Sequence, residues 1–448
     1  MTLHEELTSK QKRSIKGDID LIFSLKGLSL PKTIDEIKEI GFFSPKVKVN
    51  KNEIYFSGNG RVALRRICDF IHQTKKYRDV LNYSDIFQGV IAEIERWLND
   101  NLIPDDTEFI DHLDLVLSKK IDNHVFICRV DGLSLDKIDN IGIGNKEIKR
   151  YDKKLISEIT DVNNDIIDII NNEYSDNLVI VGTEIGSSLV AQEKFFHNAE
   201  LSLSVLRLFS CALYSQAIHR INIRLINNCA HSYGAASSFG WDSKKSLFFN
   251  RYFKSKQDFE IGSELLDNLS SACFLKELSN LIDKQNRNEL EDAVVKSLFW
   301  IGEAQKDHSH ASAWVKLWSC VECFFTLGEE EITELNARGI SSVLVFGGYS
   351  HEKYGDYEQL KKKIKKYYAL RSKVVHRAEY THIDQILLEE LSFIVAWVII
   401  TMVSLLARGY TTLAQVQEQA KRLDEVKTKK DIFKKIYIIF KNYFFKKI

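Results

Sequence analysis

The chain has 448 residues, which is long enough for two or three domains that each bury their own core. With 44% hydrophobic and 28% charged residues, the composition is that of a folded protein and excludes wholesale disorder. Lys+Arg and Asp+Glu both number 62, so the zero net charge says nothing about a nucleic-acid partner, and only local clusters of charge can.

Proline and cysteine usage narrow the class of protein further. The last of three prolines is Pro104, and because proline is costly inside a helix, the long proline-free remainder predicts mostly helical structure. The seven cysteines are scattered and odd in number, and the first twenty residues are charged throughout without an apolar core. We therefore expect free thiols and a cytoplasmic protein.

Residues 1–155 are predicted to be a mixed α/β region of unknown role. Segments 46–58 and 124–130 alternate or run apolar like short strands, between stretches with apolar residues at helical spacing. The segment 131–154 is rich in turn residues. Its Gly142 and Gly144 lack the third glycine and the following helix of a dinucleotide-binding loop, so no cofactor is predicted.

Residues 156–287 are predicted to be an α-rich middle region with minor β structure. Segment 178–182 (LVIVG) has the composition of one buried strand, and 186–217 that of a long amphipathic helix. The small and turn residues of 230–245 predict a loop.

Residues 288–428 have an almost unbroken helical pattern and are predicted to form a bundle. Segment 391–407 holds 17 uncharged residues, the lower limit for a bilayer span. A fully buried bundle helix explains it as well, and we expect that helix and no stable membrane insertion.

The stretch that carries candidate chemistry is 361–377 (KKKIKKYYALRSKVVHR), which has eight cationic side chains and no acidic one. Within it, Arg371 and His376 stand in R-x4-H spacing. A guanidinium can hold phosphate oxygens through its fork of donors, and an imidazole can move a proton near neutral pH. The R-x4–6-H matches of Arg66 with His72 and of Arg224 with His231 lack a comparable basic cluster.

Around this pair, lysines suited to phosphate contact alternate with tyrosines suited to base stacking. The predicted RNA contacts are Lys361, Lys362, Lys363, Lys365, Lys366, Tyr367, Lys373 and Arg377. The alternative is that 361–377 is only a solvated helix face with no role in RNA binding.

Helix geometry complicates the pairing of Arg371 with His376. Residues five apart on an ideal α-helix are separated by about 140° around the axis. Three arrangements stay open: a helix that begins irregularly near Arg371, an arginine that reaches round, or a second subunit that completes the site.

Three segments in order, 293–305, 313–327 and 367–380, together resemble the HEPN superfamily of helical RNA-cleaving domains, in the branch of anti-phage HEPN nucleases. The similarity covers about residues 288–425. It implies a dimerising bundle in which two R-x4–6-H motifs face one cleft and the ribose 2′-OH attacks the adjacent phosphate without a metal. It also implies that His376 transfers protons and that Arg371 clamps phosphate. Ser372 occupies a position where many members have Asn, Asp or His.

The predicted function is therefore that of a metal-independent, homodimeric endoribonuclease of anti-phage defence. Its partners would be RNA, with tRNA as a candidate substrate, a second copy or a higher homo-oligomer, and a phage-derived trigger. The first 285 residues would hold the sensor or restrain the cleft. A non-catalytic RNA- or nucleotide-binding or scaffolding module is the first alternative, and a membrane-associated helical protein is the second. Glu322, among large apolar residues, is either a carboxylate that orients an arginine or an ordinary bundle-edge residue.

Two further features have competing explanations. Cys320 and Cys323 form a C-x-x-C that could bind zinc, but small thiols inside an amphipathic helix usually pack as core, and we expect the latter and no metal. The basic tail, 429–448, has the pattern of an amphipathic helix that would meet a membrane, RNA or a partner subunit, or would close the bundle.

Overall fold

The structure is a computed structural model. It describes residues 2–427 except for 25–26, 31–44, 51, 101, 103–104, 157–163, 227–235, 242–246, 253–256, 272–273, 327, 329–330, 348, 350–352 and 381. Helices make up most of the described residues, so the mainly-α prediction is confirmed. The basic tail, 429–448, lies outside the described residues.

The chain divides into two compact units. The first comprises Met1–Phe126 with Thr183–Phe196, and the second comprises Ile127–Gly182 with His197–Ile448. This is a different partition from the four regions predicted from sequence pattern, and those boundaries stay a prediction.

The first unit is a helical cluster with a small antiparallel sheet. Its helices are α1 (Leu3–Glu6), α2 (Ser9–Ile22), α3 (Gly58–His72), α4 (Lys75–Arg78), α5 (Tyr83–Asn99) and α6 (Asp106–Ser118), and its sheet has the order β1 (Leu28–Ser29), β3 (Asn52–Phe56), β2 (Lys46–Val49). The predicted strand segment 46–58 is thus a hairpin followed by the start of a helix. Apolar residues at helical spacing on α3 and α5 meet in a core that includes Ile67 and Trp97.

The second unit contains a five-stranded sheet. Its strand order is β6 (Asn140–Ile143), β7 (Lys146–Arg150), β8 (Leu178–Gly186), β4 (Asp122–Asp131), β9 (Arg224–Ile226). β8 contains the predicted buried strand, LVIVG. Most of the turn-rich segment 131–154 is strand as well, because its alternating apolar residues Ile141, Ile143 and Ile148 are buried.

Of the two glycines Gly142 and Gly144, Gly142 lies within β6 and Gly144 serves a tight turn. Gly144, with φ of 62°, is the first residue of the two-residue loop between β6 and β7, where a type II′ turn requires positive φ. No phosphate-binding loop is formed by these residues.

Further elements precede the bundle in the sequence. They are β5 (Leu133–Asp136), a 3-10 turn (Lys153–Ile156), α7 (Asn164–Tyr174), α8 (Ser188–Leu213), α9 (Ala217–Arg220), β10 (Ala236–Trp241), β11 (Leu247–Tyr252), β12 (Phe259–Gly262), α10 (Ser263–Ser271) and α11 (Phe274–Asp283). The long helix predicted over 186–217 is confirmed as α8. The loop predicted over 230–245 is partly wrong, because 236–241 form β10, which pairs antiparallel with β11.

The C-terminal part of the second unit is a helical bundle. Its helices are α12 (Glu289–Lys306), α13 (His310–Phe325), α14 (Ile332–Phe346), α15 (Tyr357–Arg377), α16 (Gln385–Ala407) and α17 (413–427). Capping side chains set several starts: Asn288 and Glu291 form a capping box at α12, and Asp384 accepts from the amide of Leu387 at α16.

The apolar helix α16 lies in the core of this bundle. It is long and apolar enough to cross a membrane, yet 67% of its most apolar window is buried inside the protein. Thr401 bonds its hydroxyl to the carbonyl of Trp397 within the helix, which satisfies a polar group at a buried position. Burial among the other helices explains the composition of 391–407 without a bilayer.

Helix α8 is joined to the bundle by polar contacts. Glu200 accepts from Arg207 on its own helix and from Lys306 of α12, at 2.9 and 3.1 Å. The indole of Trp397 donates to the carbonyl of Ala212 at 3.1 Å. A side chain at Gly302 would collide with the hydroxyl of Ser204, which shows how closely α8 and α12 approach.

Candidate functional site

The R-x4-H motif lies on one continuous helix. α15 runs without interruption from Tyr357 to Arg377, so of the three arrangements left open by the sequence, a helix that begins near Arg371 is wrong. Regular geometry then directs Arg371 and His376 to different sides of the axis, about 140° apart.

Arg371 is held against the bundle. Its Nη2 donates to Glu322 Oε2 of α13 at 3.1 Å, and its guanidinium carbon lies 5.7 Å from the centre of the Tyr368 ring. The side chains of Arg371 and Glu322 are 20% and 18% exposed, so the ion pair is partly shielded from water. Of the two predicted roles for Glu322, the orientation of an arginine is the one that this contact fits.

The Arg371–Glu322 pair keeps unused hydrogen-bonding capacity. Arg371 Nε and Glu322 Oε1 are both buried, and neither has a hydrogen-bond partner among the described residues. Burial and the Glu322 carboxylate also raise the pKa of Tyr368, so that its hydroxyl stays protonated beside the pair. An arginine with a free N–H fits a site that takes an anionic ligand.

His376 is exposed in the last turn of α15 and makes no hydrogen bond or ion pair with any described residue. The helix ends just beyond it at Ala378, whose φ of 54° and ψ of 27° are left-handed. In one chain, therefore, the histidine and the arginine of the motif do not converge. Both ring nitrogens of His376 remain open to a ligand or to another subunit.

Three of the predicted RNA-contact lysines are engaged by carboxylates of neighbouring helices. Lys361 pairs with Glu334 Oε1 of α14 at 2.7 Å and with Asp424 of α17, and its side chain is 13% exposed. Lys365 pairs with the other oxygen of Glu334. Lys363 pairs with Glu390 of α16 at 2.8 Å. We call Lys361, Lys363 and Lys365 the paired lysines.

Three other lysines project to solvent. Lys362, Lys366 and Lys373 are exposed and form no ion pair with a described residue. Spacings of four and seven residues place them on one side of α15. We call them the exposed lysines. His376 and Arg377 continue the same side toward the helix end, and Arg377 has only a distant carboxylate, Glu379 at 3.8 Å.

Tyr367 is turned into the bundle. Its side chain is 6% exposed, its hydroxyl donates to Glu390, and its ring packs edge-on against Trp314 at 5.3 Å. In this structure the ring offers no face to a nucleobase. Ser372 is half-buried and makes no hydrogen bond with a described residue.

A second R-x4-H spacing overlaps the first. Arg377 and His382 are both exposed, and His382 lies in the turn beyond α15 rather than on the helix. The sequence prediction assigned only Arg377, as an RNA contact, although the same spacing was there to be found. His382 gives a natural control for His376.

The C-x-x-C pair forms part of the bundle. Cys320 is fully buried, its thiol donates to the carbonyl of Lys316, and burial raises its pKa well above the usual value. Cys323 donates to the carbonyl of Ser319. No cluster of three or more potential metal-ligating side chains occurs among the described residues.

No protein-family model matches this chain, no curated protein matches its sequence, and no solved structure matches its fold.

Proposed function

We propose that the C-terminal bundle is a metal-independent endoribonuclease that acts as a homodimer. The observation that carries the proposal is the composition of α15: an arginine with a free buried N–H, an open histidine in the last turn, and the exposed lysines beside it. These are the groups needed to attract a polyanion, hold one phosphate and move a proton.

The proposed reaction is transesterification within the RNA. The ribose 2′-oxygen forms a bond to the adjacent phosphorus, the bond from phosphorus to the 5′-oxygen of the next nucleotide breaks, and a 2′,3′-cyclic phosphate and a 5′-hydroxyl result. A base removes the proton of the 2′-OH and an acid gives one to the leaving oxygen. His376 supplies these transfers, and Arg371 stabilises the charge on the pentacovalent phosphate.

Dimerisation would overcome the separation of Arg371 and His376 around the axis of α15. Because the two side chains lie on different sides of one helix, a second copy would have to bring its own motif to the same phosphate. Two histidines in one cleft would then divide the roles of base and acid. Glu322 would keep each Arg371 oriented, while the exposed fifth of the arginine side chain would meet the phosphate.

The proposed biological role follows from the resemblance to anti-phage HEPN nucleases. We propose a cytoplasmic enzyme of anti-phage defence, with tRNA among its substrates and a phage-derived trigger sensed by the first 285 residues. An RNase that harms its own cell must be restrained before infection, which gives the N-terminal residues a role in control.

The deciding experiment is cleavage of total tRNA and of a long single-stranded RNA by the purified full-length protein in EDTA. We expect products that end in cyclic phosphate, and a loss of about 10²–10⁴-fold in rate for His376→Ala. His382→Ala, with the same spacing from Arg377, should cleave like the wild type. Activity that persists in His376→Ala, or no cleavage even after addition of infected-cell lysate, would refute the catalytic role.

A non-catalytic RNA-binding module is the second candidate, and the separation of Arg371 from His376 within one chain favours it. In that case the exposed lysines would bind RNA, no cyclic phosphate would appear under any condition, and His376→Ala would bind as the wild type does.

A further inference from the structure

A groove of about 510 Å³ opens beside the end of α15. It is lined by Trp300, Ala311, Ser312, Val315, Lys316, Val374, Ala378 and Tyr380. Its volume lies in the range of small-molecule sites. We call it the Trp300 groove.

The surfaces of this groove are flat and apolar. Val315 and Val374 contribute aliphatic surface from α13 and α15. Trp300 is half-buried, and Tyr380 is 70% exposed, so that its ring is accessible to a ligand. The left-handed Ala378 ends the helix, so that Tyr380, only six residues after Val374, lines the same groove.

One edge of the groove is polar and fixed by a carboxylate. Asp307 Oδ2 accepts from Lys316 Nζ at 2.7 Å and from the hydroxyl of Ser312 at 2.5 Å. Burial alone would raise the pKa of Asp307, but the hydrogen bonds from Lys316, Ser312 and the amide of Ser309 outweigh burial and lower it. The ammonium of Lys316 also donates to the carbonyl of Glu303 at 3.3 Å, which leaves it one further N–H.

Two cations are sequence neighbours of residues that line the groove. Val374 follows Lys373 directly, and Ala378 follows Arg377, so the lining positions lie one residue beyond two cations that carry no close acidic partner among the described residues. Because one residue turns an α-helix by about 100°, Lys373 projects from a side of α15 next to the side on which Val374 lines the groove. A chain with alternating anionic and flat apolar groups fits this arrangement, and single-stranded RNA is such a chain.

We propose that the Trp300 groove binds one nucleobase of the RNA, stacked against Trp300 or Tyr380, while Lys373 and Arg377 contact the adjoining phosphates. The inference rests on the proposed ribonuclease function and adds a site of base selection to it. Lys316 donates to a carbonyl oxygen at the edge of the base. Guanine and uracil present such an oxygen, whereas adenine presents none, so adenine binds weakest.

The test measures binding without cleavage. His376→Ala protein is titrated into fluorescently labelled eight-nucleotide oligomers of uridine and of adenosine, and into a uridine oligomer with abasic positions. We expect about tenfold weaker binding of the uridine oligomer in Tyr380→Ala and in Trp300→Ala, in line with the loss of one stacked base. Tyr380→Phe should retain the affinity because it keeps the ring.

Phe299→Ala is the matched control. Phe299 is the exposed aromatic neighbour of Trp300, packed against it at 5.3 Å between ring centres, and it does not line the groove. Its loss should leave the affinity unchanged. The affinity of the abasic oligomer should be insensitive to Tyr380→Ala, because that oligomer has no base to stack.

Several outcomes would overturn the groove proposal while leaving the nuclease intact. One is equal binding by Tyr380→Ala and by the parent protein. Another is an equal effect of Tyr380→Ala on the abasic and the uridine oligomers. A third is dissociation of the homodimer by Tyr380→Ala in sedimentation, which would assign the groove to a second copy of the chain. Failure of the nuclease proposal would instead show as absent cleavage by the wild type, whatever the groove variants bind.

Discussion

The paired and the exposed lysines of α15 are neighbours in sequence but differ in what surrounds them. Lys361, Lys363 and Lys365 are neutralised by carboxylates from α14, α16 and α17, while Lys362, Lys366 and Lys373 face solvent. A run of positive charge is thus divided into a set that holds the bundle together and a set that is free to attract a polyanion. The difference shows that the count of cations in a segment overstates its electropositive surface.

The largest expected effect on RNA affinity comes from removal of the exposed lysines. A Lys362→Gln, Lys366→Gln and Lys373→Gln triple variant should weaken RNA binding about 100-fold at 0.1 M salt, since each lost phosphate contact lowers the salt slope by about 0.7 for a single strand. Fluorescence anisotropy from 50 to 300 mM salt would measure both quantities. An unchanged slope would show that RNA does not use this side of the helix.

The paired lysines give the matched control. Lys361→Gln, Lys363→Gln and Lys365→Gln together remove the same charge but should leave RNA affinity much closer to the wild type. We expect instead a loss of about 1–2 kcal/mol in the free energy of unfolding, most of it from Lys361, because Lys363 and Lys365 are more exposed and better screened. Urea denaturation would show it. A drop in RNA affinity equal to that of the exposed triple variant would erase the distinction.

Acidification should protonate the carboxylates that bind the paired lysines, so that the paired lysines become as free as the exposed lysines. Partial burial would raise the pKa of Glu334, but hydrogen bonds and charge from Lys361 and Lys365 outweigh it and lower the pKa. The same balance, with Lys363 and Tyr367, lowers the pKa of Glu390. Because both folded-state pKa values lie below the unfolded ones, this stability is present above about pH 5 and is lost as the pH falls through the folded pKa values.

The check for this prediction is the free energy of unfolding at several pH values between 7 and 3.5. Glu334→Gln should be less stable at pH 7 and should lose less stability on acidification. A variant that follows the wild-type curve in parallel would mean that Glu334 does not contribute to the acid dependence.

The smallest expected effect is on the stability of the fold and comes from Ala378, at the C-terminal end of α15. Ala378 adopts a left-handed conformation that costs a non-glycine residue about 1–2 kcal/mol, partly offset by the greater freedom of glycine in the unfolded chain. Ala378→Gly should therefore raise the melting temperature slightly, by the equivalent of about 0.5–1 kcal/mol. Ala378→Val should lower it. A destabilised glycine variant would contradict the assigned conformation.

Much of the fold follows from sequence pattern. The absence of proline after Pro104 and the helical pattern of 288–428 predict helices that the structure confirms. The burial of 391–407 was also foreseen. The strands within 131–154 were missed because glycine and aspartate at the turns outweighed the short alternating segments between them.

The candidate site was less accessible from sequence. The carboxylates that engage the paired lysines, Glu334, Glu390 and Asp424, lie between 27 and 63 residues away in the sequence, and only tertiary packing joins them. The inward rotation of Tyr367 depends on Trp314 of another helix. By contrast, the 140° between Arg371 and His376 followed from helix geometry alone, once the helix was known to be continuous.

The contacts between α8 and the bundle bear on how this protein could diversify. Glu200 is shared by Arg207 and Lys306, and the indole of Trp397 donates to the carbonyl of Ala212, so a chain cut at residue 288 would remove one carboxylate partner of Lys306 and one acceptor of Trp397. A recombination event that replaced everything before the bundle would carry that cost. The segment that can be inherited as one exchangeable module therefore includes the second half of α8.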